Sequence, residues 1–97
     1  MPWYINSMGD AHNLSNVNSL IVSSSENTMA SIKLPESEKQ KYFDGYMIVA
    51  EFHGTWQVLE FVSEYDEGKK LISYILSRVG KGPSDVVRYE ETIPMLK

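Results

Sequence analysis

Residues 46–62 contain two apolar runs with a single glycine between them, and this pattern most constrains the fold. The first run, Tyr46–Phe52, is rich in β-branched and aromatic residues, which favour strands. Gly54 interrupts it, and a second run follows over residues 56–62. Two such runs joined by a short connection that contains glycine predict an antiparallel β-hairpin.

The second predicted strand carries large apolar side chains on both faces. Because side chains alternate along a strand, Trp56, Val58 and Val62 are expected on one face, and Leu59 and Phe61 on the other. Strands that are apolar on both faces are usually covered on both. One helix can cover only one face, so the sequence predicts a second layer of cover.

An amphipathic helix is predicted directly after the hairpin, over residues 67–79. Its apolar residues recur at the spacing of one helical face: Leu71, Ile72, Ile75, Leu76 and Val79. Asp66 is the expected N-cap, with Ser63 as the alternative, and Gly80 predicts the end of the helix. Gly68 in the first turn weakens the helix by roughly 1 kcal/mol relative to alanine. We therefore expect packing on the sheet to hold the helix in place.

The remaining segments predict short strands and one polar insert. Short apolar or alternating patterns occur over residues 3–5, 20–23 and 29–34, and at Val86, Val87 and Tyr89. Residues 35–45 predict an exposed loop or one helical turn, and residues 83–97 form a C-terminal tail. The sequence thus predicts one α+β domain over residues 1–97. Its antiparallel sheet has four to six strands, packs on the helix at about 67–79, and can curl into a half-barrel.

Composition narrows the classes of function. The chain has no cysteine, which removes disulfides and thiolate zinc ligands and fits a reducing compartment. No apolar run approaches the ~20 residues that cross a bilayer, and the start lacks a signal-peptide pattern. We therefore predict a cytoplasmic protein without a membrane interaction. The net charge of −4 disfavours binding to nucleic acid, because phosphate binding usually needs a basic surface.

The chain contains three segments in order: a first strand with Trp3, an apolar segment that starts at Asn16 and Val17, and the hairpin with its helix. This order resembles that of small uncharacterised proteins from Gram-positive bacteria and from their phages and plasmids. The polar insert 35–45 and the tail 83–97 depart from it. The resemblance implies an α+β fold and brings no catalytic residue with it.

Two acid–histidine pairs are the candidate catalytic or metal-binding residues. They are Asp10 with His12, and Glu51 with His53. Residues two apart on a strand point the same way, so two converging pairs would suit a metal or acid–base chemistry. The simpler interpretation is a solvated loop and an exposed strand end, because no recognised zinc spacing is present. We expect no enzyme activity, no metal and no cofactor.

The favoured hypothesis is a small binding or regulatory module that acts through protein contacts. Its expected interaction surface combines the uncovered hairpin face with the tail: Trp56, Val58, Val62, Val86, Val87 and Tyr89. A two-fold homodimer would hide such a patch, and a half-barrel closed by the N-terminal strands is the alternative. The competing function is an RNA- or DNA-binding accessory protein of a mobile element. It requires a cluster of basic residues beside exposed aromatic side chains; the basic residues are Lys33, Lys39, Lys41, Lys69 and Lys70. The aromatic residues that could stack on bases are Trp3, Tyr42, Phe43, Tyr46 and Trp56.

Weak binding to nucleic acid is the first testable expectation. With a net charge of −4, the chain should repel phosphates on average. A fluorescence anisotropy titration with single-stranded and duplex oligonucleotides at physiological salt should show no saturation in the micromolar range. A sub-micromolar Kd at that salt would contradict the expectation and favour the nucleic-acid hypothesis.

Overall fold

The computed structural model of the protein describes residues 2–27, 34, 36–39, 44–78 and 86–96. The strands and helices whose bounds lie in these ranges are, in chain order, β1 (Trp3–Ile5), β2 (Ala11–Asn13), β3 (Val17–Ser24), α1 (Glu36–Lys39), β4 (Tyr46–Phe52), β5 (Thr55–Val62), α2 (Tyr65–Arg78), β6 (Val86–Arg88) and α3 (Tyr89–Leu96). The helical turn of α1 lies in the polar insert, for which the sequence left a loop or one helical turn open.

The strands form two three-stranded sheets within the described ranges. One sheet has the order β2-β1-β6, in which β1 pairs antiparallel with β2 and parallel with β6. The other has the order β3-β4-β5 and is antiparallel throughout. The α+β class and the antiparallel sheet with a helix packed on it are therefore confirmed. The described strands are divided between two sheets and form no closed barrel.

The predicted hairpin is β4–β5, and its turn consists of two residues. His53 and Gly54 both have positive φ angles, of 51° and 85°. Two-residue turns with positive φ at both positions match the right-handed twist of the flanking strands. Glycine adopts this conformation without a steric penalty, which explains why Gly54 separates the two apolar runs.

A β-bulge in β5 interrupts the alternation of its side chains. Ile48 pairs with Glu60 and the next residue, Val49, pairs with Val58, so Leu59 is the extra residue on β5. Beyond the bulge, residues that strict alternation would place on one face of the strand lie on the other. The bulge therefore decides which side chains of β5 meet helix α2.

The predicted faces of β5 are correct before the bulge and wrong after it. Val58 and the half-buried Trp56 lie on the face away from α2, as expected, and Leu59 lies on the helix side. Phe61 packs with Val58, whereas Val62 joins the helix-side core. The reason is physical: strict alternation places Phe61 with Leu59, and one extra residue reverses that assignment.

Apolar clusters cover both faces of the β3-β4-β5 sheet. The helix-side cluster contains Tyr4, Leu14, Ile48, Leu59, Val62, Leu71, Ile75 and Val87. The cluster on the opposite face contains Leu34, Met47, Val49 and Val58. The second layer of cover that the apolar hairpin predicted is thus partly supplied by Leu34. The rest of the predicted strand 29–34 lies outside the described residues.

The bulge also directs the side chain of Glu60 into the interior, where it is 0% exposed. The Tyr4 hydroxyl donates to Oε1 at 2.5 Å, and the Ser7 backbone N–H donates to the same oxygen at 2.9 Å. The Ser7 hydroxyl donates to Oε2 at 2.5 Å, and the Phe61 N–H donates there at 3.2 Å. Four donors thus satisfy a carboxylate that water cannot reach, and two of the donor residues belong to the first sheet and its loop.

Asn6 holds the β1–β2 loop in the position from which Ser7 reaches Glu60. Its side-chain amide donates to the Leu59 carbonyl oxygen at 3.1 Å. Its Oδ1 accepts bonds from the backbone N–H groups of Met8 at 3.0 Å and Asp10 at 2.9 Å. One buried asparagine therefore closes the loop and attaches it to the bulged strand.

Helix α2 begins at Tyr65, two residues before the predicted start. The Glu64 carbonyl accepts the N–H of Gly68 at 3.2 Å, so Glu64 occupies the cap position that we predicted for Asp66 or Ser63. The buried residues of the helix are Gly68, Leu71 and Ile75. Leu76, which we expected in the core, is 62% exposed because it lies one position beyond this narrow stripe.

The C-terminal tail forms both a strand and a helix. β6 occupies the predicted strand position at Val86 and Val87, but Tyr89 begins α3 instead of continuing the strand. The Thr92 hydroxyl donates to the Tyr89 carbonyl at 2.6 Å. Glu91 accepts bonds from Arg78 at 2.8 Å and from the Tyr74 hydroxyl at 3.0 Å, which ties α3 to α2.

Removal of the Tyr4 hydroxyl should destabilise the protein at neutral pH. In Tyr4→Phe the buried Glu60 loses one of its donors, which should cost roughly 1–3 kcal/mol of unfolding free energy in urea. The matched control, Tyr65→Phe, removes a hydroxyl from a largely exposed ring and should unfold near the wild-type midpoint. Equal midpoints for Tyr4→Phe and wild type would show that the Tyr4–Glu60 bond contributes nothing.

Tyr4→Phe should also change how the unfolding free energy falls at alkaline pH. Burial, followed by the hydrogen bond to Glu60, raises the pKa of Tyr4 above its usual 10.0. The unfolded chain therefore loses this proton near pH 10 while the folded chain keeps it. The contribution of Tyr4 to the unfolding free energy is thus fully present below pH 10 and falls as pH rises beyond it. Tyr4→Phe should show a shallower fall than wild type between pH 9 and about 11.

Candidate protein-binding groove

The two edges of the β3-β4-β5 sheet differ in how they are covered. On the β5 side, the Val58 N–H donates to Glu38 of α1 at 2.8 Å, and the Leu59 carbonyl accepts from Asn6. On the β3 side, no strand in the described part of the chain pairs with the outer edge. An unpaired edge offers backbone N–H and carbonyl groups to an added strand.

The composition of β3 is unusual for an exposed edge. Its eight residues, Val17–Ser24, include no charged side chain and no proline, which are common protections of an edge strand. A bulge at Asn18 interrupts its N-terminal end, and pairing with β4 is regular from Ser19 to Ser24. Ile21, near the middle, is 37% exposed.

A groove runs between this edge and helix α2. One recess, of about 330 Å³, lies toward the C-terminal end of the helix, and a second, of about 500 Å³, lies toward its N-terminal end. Leu20 and Ile72 line both recesses, so the two recesses are adjacent. We call this surface the α2–β3 groove; its lining residues are Leu14, Val17, Asn18, Ser19, Leu20, Ile21, Val22, Tyr65, Lys69, Ile72, Ser73, Ile75 and Leu76.

Gly68 sets the distance between the helix and the edge strand. A Cβ atom built at this position would lie 2.7 Å from Cγ1 and 2.9 Å from Cγ2 of Val22. Carbon atoms make optimal contact near 3.5–4.0 Å, so no larger residue fits without a shift. The glycine that weakens the helix therefore permits the close approach that defines one wall of the groove.

The groove carries little charge. Lys69 is the one charged side chain among its described lining residues. It lies 3.5 Å from Asp66 and 5.0 Å from the centroid of the Tyr65 ring. Both partners of this ion pair are exposed, so it adds little stability, but it offsets the lysine charge locally. An uncharged, apolar ligand is thus the best chemical match.

The predicted interaction surface is divided by the fold. Val58, Val62 and Val87 are buried, and they lie in different clusters: Val58 away from α2, and Val62 and Val87 on the helix side. Trp56, Val86 and Tyr89 are half-buried. The six residues therefore do not form one exposed patch, because the bulge moves Val62 and the β1–β6 pairing buries Val87.

The two histidines of the candidate catalytic set meet in one depression, but the carboxylates do not join them. His12 and His53 line a recess of about 380 Å³ with Asn13, Asn16 and Gln57, among others. Asp10 and Glu51 are not part of its lining. His53 lies in the turn beyond the end of β4 at Phe52, so strand alternation does not place its side chain with that of Glu51. Among the described residues, no group of three or more His, Cys, Asp or Glu side chains is placed to hold a metal ion.

The structure describes only part of the proposed basic cluster. Lys69 and Lys70 are exposed on α2, while Lys33 and Lys41 lie outside the described residues and Lys39 is described only by its backbone. Of the aromatic residues proposed to stack bases, Trp3 is exposed and Trp56 and Tyr46 are half-buried. Tyr42 and Phe43 lie outside the described ranges.

Comparison of the chain with protein-family models, with curated proteins and with solved structures finds no match. The resemblance to small proteins of Gram-positive bacteria and their mobile elements therefore stays a prediction. No helix in the described residues combines the length and the apolar character that a membrane-spanning segment needs.

Sequence patterns missed the groove because they identify faces of a strand and not edges of a sheet. Two signals pointed to it. Val17–Ser24 lies in an uncharged stretch, residues 11–25, and Gly68 stands in a helix whose neighbours favour helix formation. Glycine at such a position usually marks a close approach of two segments.

Alanine at position 68 should destabilise the protein although alanine is the better helix former. Propensity alone favours Gly68→Ala by roughly 1 kcal/mol. The clash with Val22 should outweigh this gain and lower the unfolding free energy in urea by about 1–3 kcal/mol. The double variant Gly68→Ala with Val22→Ala should lose less unfolding free energy than the sum of the two single variants, by a coupling energy of roughly 0.5–3 kcal/mol. A higher urea midpoint for Gly68→Ala alone would contradict the close packing.

Proposed function

We propose that the chain is a small, non-enzymatic binding module of the cytoplasm that recognises a protein segment in the α2–β3 groove. The observation that carries the proposal is the coincidence of an apolar groove with a sheet edge on which no other described strand pairs. Strand addition uses the edge for backbone hydrogen bonds and an adjacent groove for alternate side chains. The α2–β3 groove offers both features in one place.

Exposed apolar side chains support this choice of surface. Leu76 is 62% exposed and Tyr65 is 47% exposed, and both line the groove. Ile21, which is 37% exposed, lies at the same edge but pairs with Val49 on the face away from α2. Clustered exposed apolar residues are a common mark of interaction sites in soluble domains. A ligand strand laid along β3 would place every second side chain over Ile72 and Leu76.

The expected ligand is an extended peptide with apolar residues at alternate positions and few charges. Backbone pairing with β3 is independent of ligand sequence, so selectivity comes from the side chains that enter the groove. A charged side chain there would lose water without gaining a partner, since Lys69 already faces Asp66. The module should therefore discriminate against charged segments.

A selection from a random peptide library displayed on phage tests the proposal directly. Immobilised wild-type protein should enrich extended peptides with alternating apolar residues. Leu76→Lys introduces a charge at the rim of the groove at a position that is already exposed, so folding should be preserved while peptide binding weakens about ten-fold or more.

The matched control is Ser77→Lys, which adds the same charge to the neighbouring exposed position of α2, outside the groove lining. It should bind the selected peptides as wild type does. Peptides that bind Leu76→Lys and wild type equally well would place recognition elsewhere and contradict the proposed function.

A further inference from the structure

We propose that the segment that occupies the α2–β3 groove is strand β3 of a second copy of this chain. Resting on the proposed function, this inference names its ligand. Two copies would pair their β3 edges antiparallel about a two-fold axis and join their three-stranded sheets into one six-stranded sheet. A two-fold contact is self-complementary, so each copy is both the binding module and the bound segment.

The charge-free edge removes an obstacle to contact between two copies of this acidic chain. Each chain carries a net charge of −4, so two copies repel one another unless the contact surface is neutral. Val17–Ser24 is such a surface, because it has no charged residue and its one charged groove neighbour, Lys69, is paired with Asp66. The edge is thus one place where two acidic copies can approach closely.

The side chains of β3 match one another when the two-fold axis passes through Ile21. Residues that face each other across an antiparallel pair must lie on the same face of the sheet. With Ile21 opposite Ile21 of the partner subunit, Leu20 lies opposite Val22 of the partner subunit, on the helix side. Ser19 then lies opposite Ser23 of the partner subunit, on the other face.

This register pairs apolar residues with apolar residues and serines with serines, whereas the two adjacent registers do not. An axis through Leu20 would set Ser19 against the partner subunit's Ile21. An axis through Val22 would set Ile21 against the partner subunit's Ser23, which places a polar hydroxyl against an apolar side chain. The register centred on Ile21 is therefore the one that the side chains select.

The same register fills the groove. Leu20 and Val22 face helix α2 and belong to the border of the helix-side core. In the paired sheet, Val22 of the partner subunit lies opposite Leu20, at the end of the groove that Ile72 and Leu76 line. Leu20 of the partner subunit lies opposite Val22, at the end that Tyr65 and Lys69 line. The exposed Leu76 gains an apolar neighbour, and the two-fold axis repeats the contact in the partner's groove.

Sedimentation equilibrium at micromolar concentrations tests the pairing. Wild type should show twice the mass of one 11.1 kDa chain. Ile21→Lys places two ammonium groups opposite one another at the axis, where lysine is also a common protection of edge strands, and should reduce the mass to that of one chain. Thr55→Lys, at an exposed position beside the β4–β5 turn, is the matched control and should stay dimeric.

Cross-linking locates the contact independently of stability. The chain has no cysteine, so Ile21→Cys supplies a single reactive thiol. A short bifunctional maleimide should convert this variant to a covalent dimer within minutes, whereas Thr55→Cys should not become cross-linked under the same conditions. A dimer that cross-links through position 55 and not through position 21 would overturn the proposed register.

The two proposals can fail separately. A wild-type mass of one chain across the micromolar range, together with selected peptides that still depend on Leu76, overturns self-pairing and leaves the groove as a site for a different protein. A dimer that survives Ile21→Lys also overturns the inference. Selected peptides that dissociate the wild-type dimer as they bind would support both proposals.

Discussion

A buried carboxylate joins the two sheets of this protein. Glu60 is removed from water by the bulge in β5, and an unpaired charge in an apolar interior would cost several kcal/mol. The charge is acceptable only because Tyr4 and Ser7 donate to it, and they do so from the strand and loop of the other sheet. The side chain therefore requires that the β1–β2 loop lies against β5.

The positions of several other elements follow from this contact. Once the loop is attached, Asn6 fixes its turn and β1 is held alongside the core. β1 then supplies the edge on which β6 pairs, and β6 leads directly into α3. Glu91 on α3 returns to Arg78 and Tyr74 on α2, which packs on the sheet that contains Glu60. The contacts that start at Glu60 thus connect both sheets and return, through α3 and α2, to the sheet that contains Glu60.

Local patterns predicted the elements that local energetics determine. The hairpin, its turn at Gly54 and the amphipathic helix are all readable from spacing and from glycine placement. The bulge at Leu59 is not, because it depends on the partner strand, and it reversed the assignment of Phe61 and Val62. α3 was missed because Thr92 and Pro94 disfavour a helix, and contacts with α2 outweigh that preference. The groove was missed because the position of β3 at an edge is a property of topology.

The parallel pairing of β1 with β6 has a consequence for how the chain acquires its structure. The two strands lie near opposite ends of the described sequence, so the loop between them is long and its closure entropy must be met before the pair forms. β4, β5 and α2 are consecutive and joined by short connections, and they can assemble first. We therefore expect folding in which a hairpin-and-helix nucleus precedes closure of the smaller sheet, with a rate set by contact order rather than by helix formation. Until β1 docks, Glu60 has no partner from the first sheet, and the nucleus on its own should be an unstable intermediate.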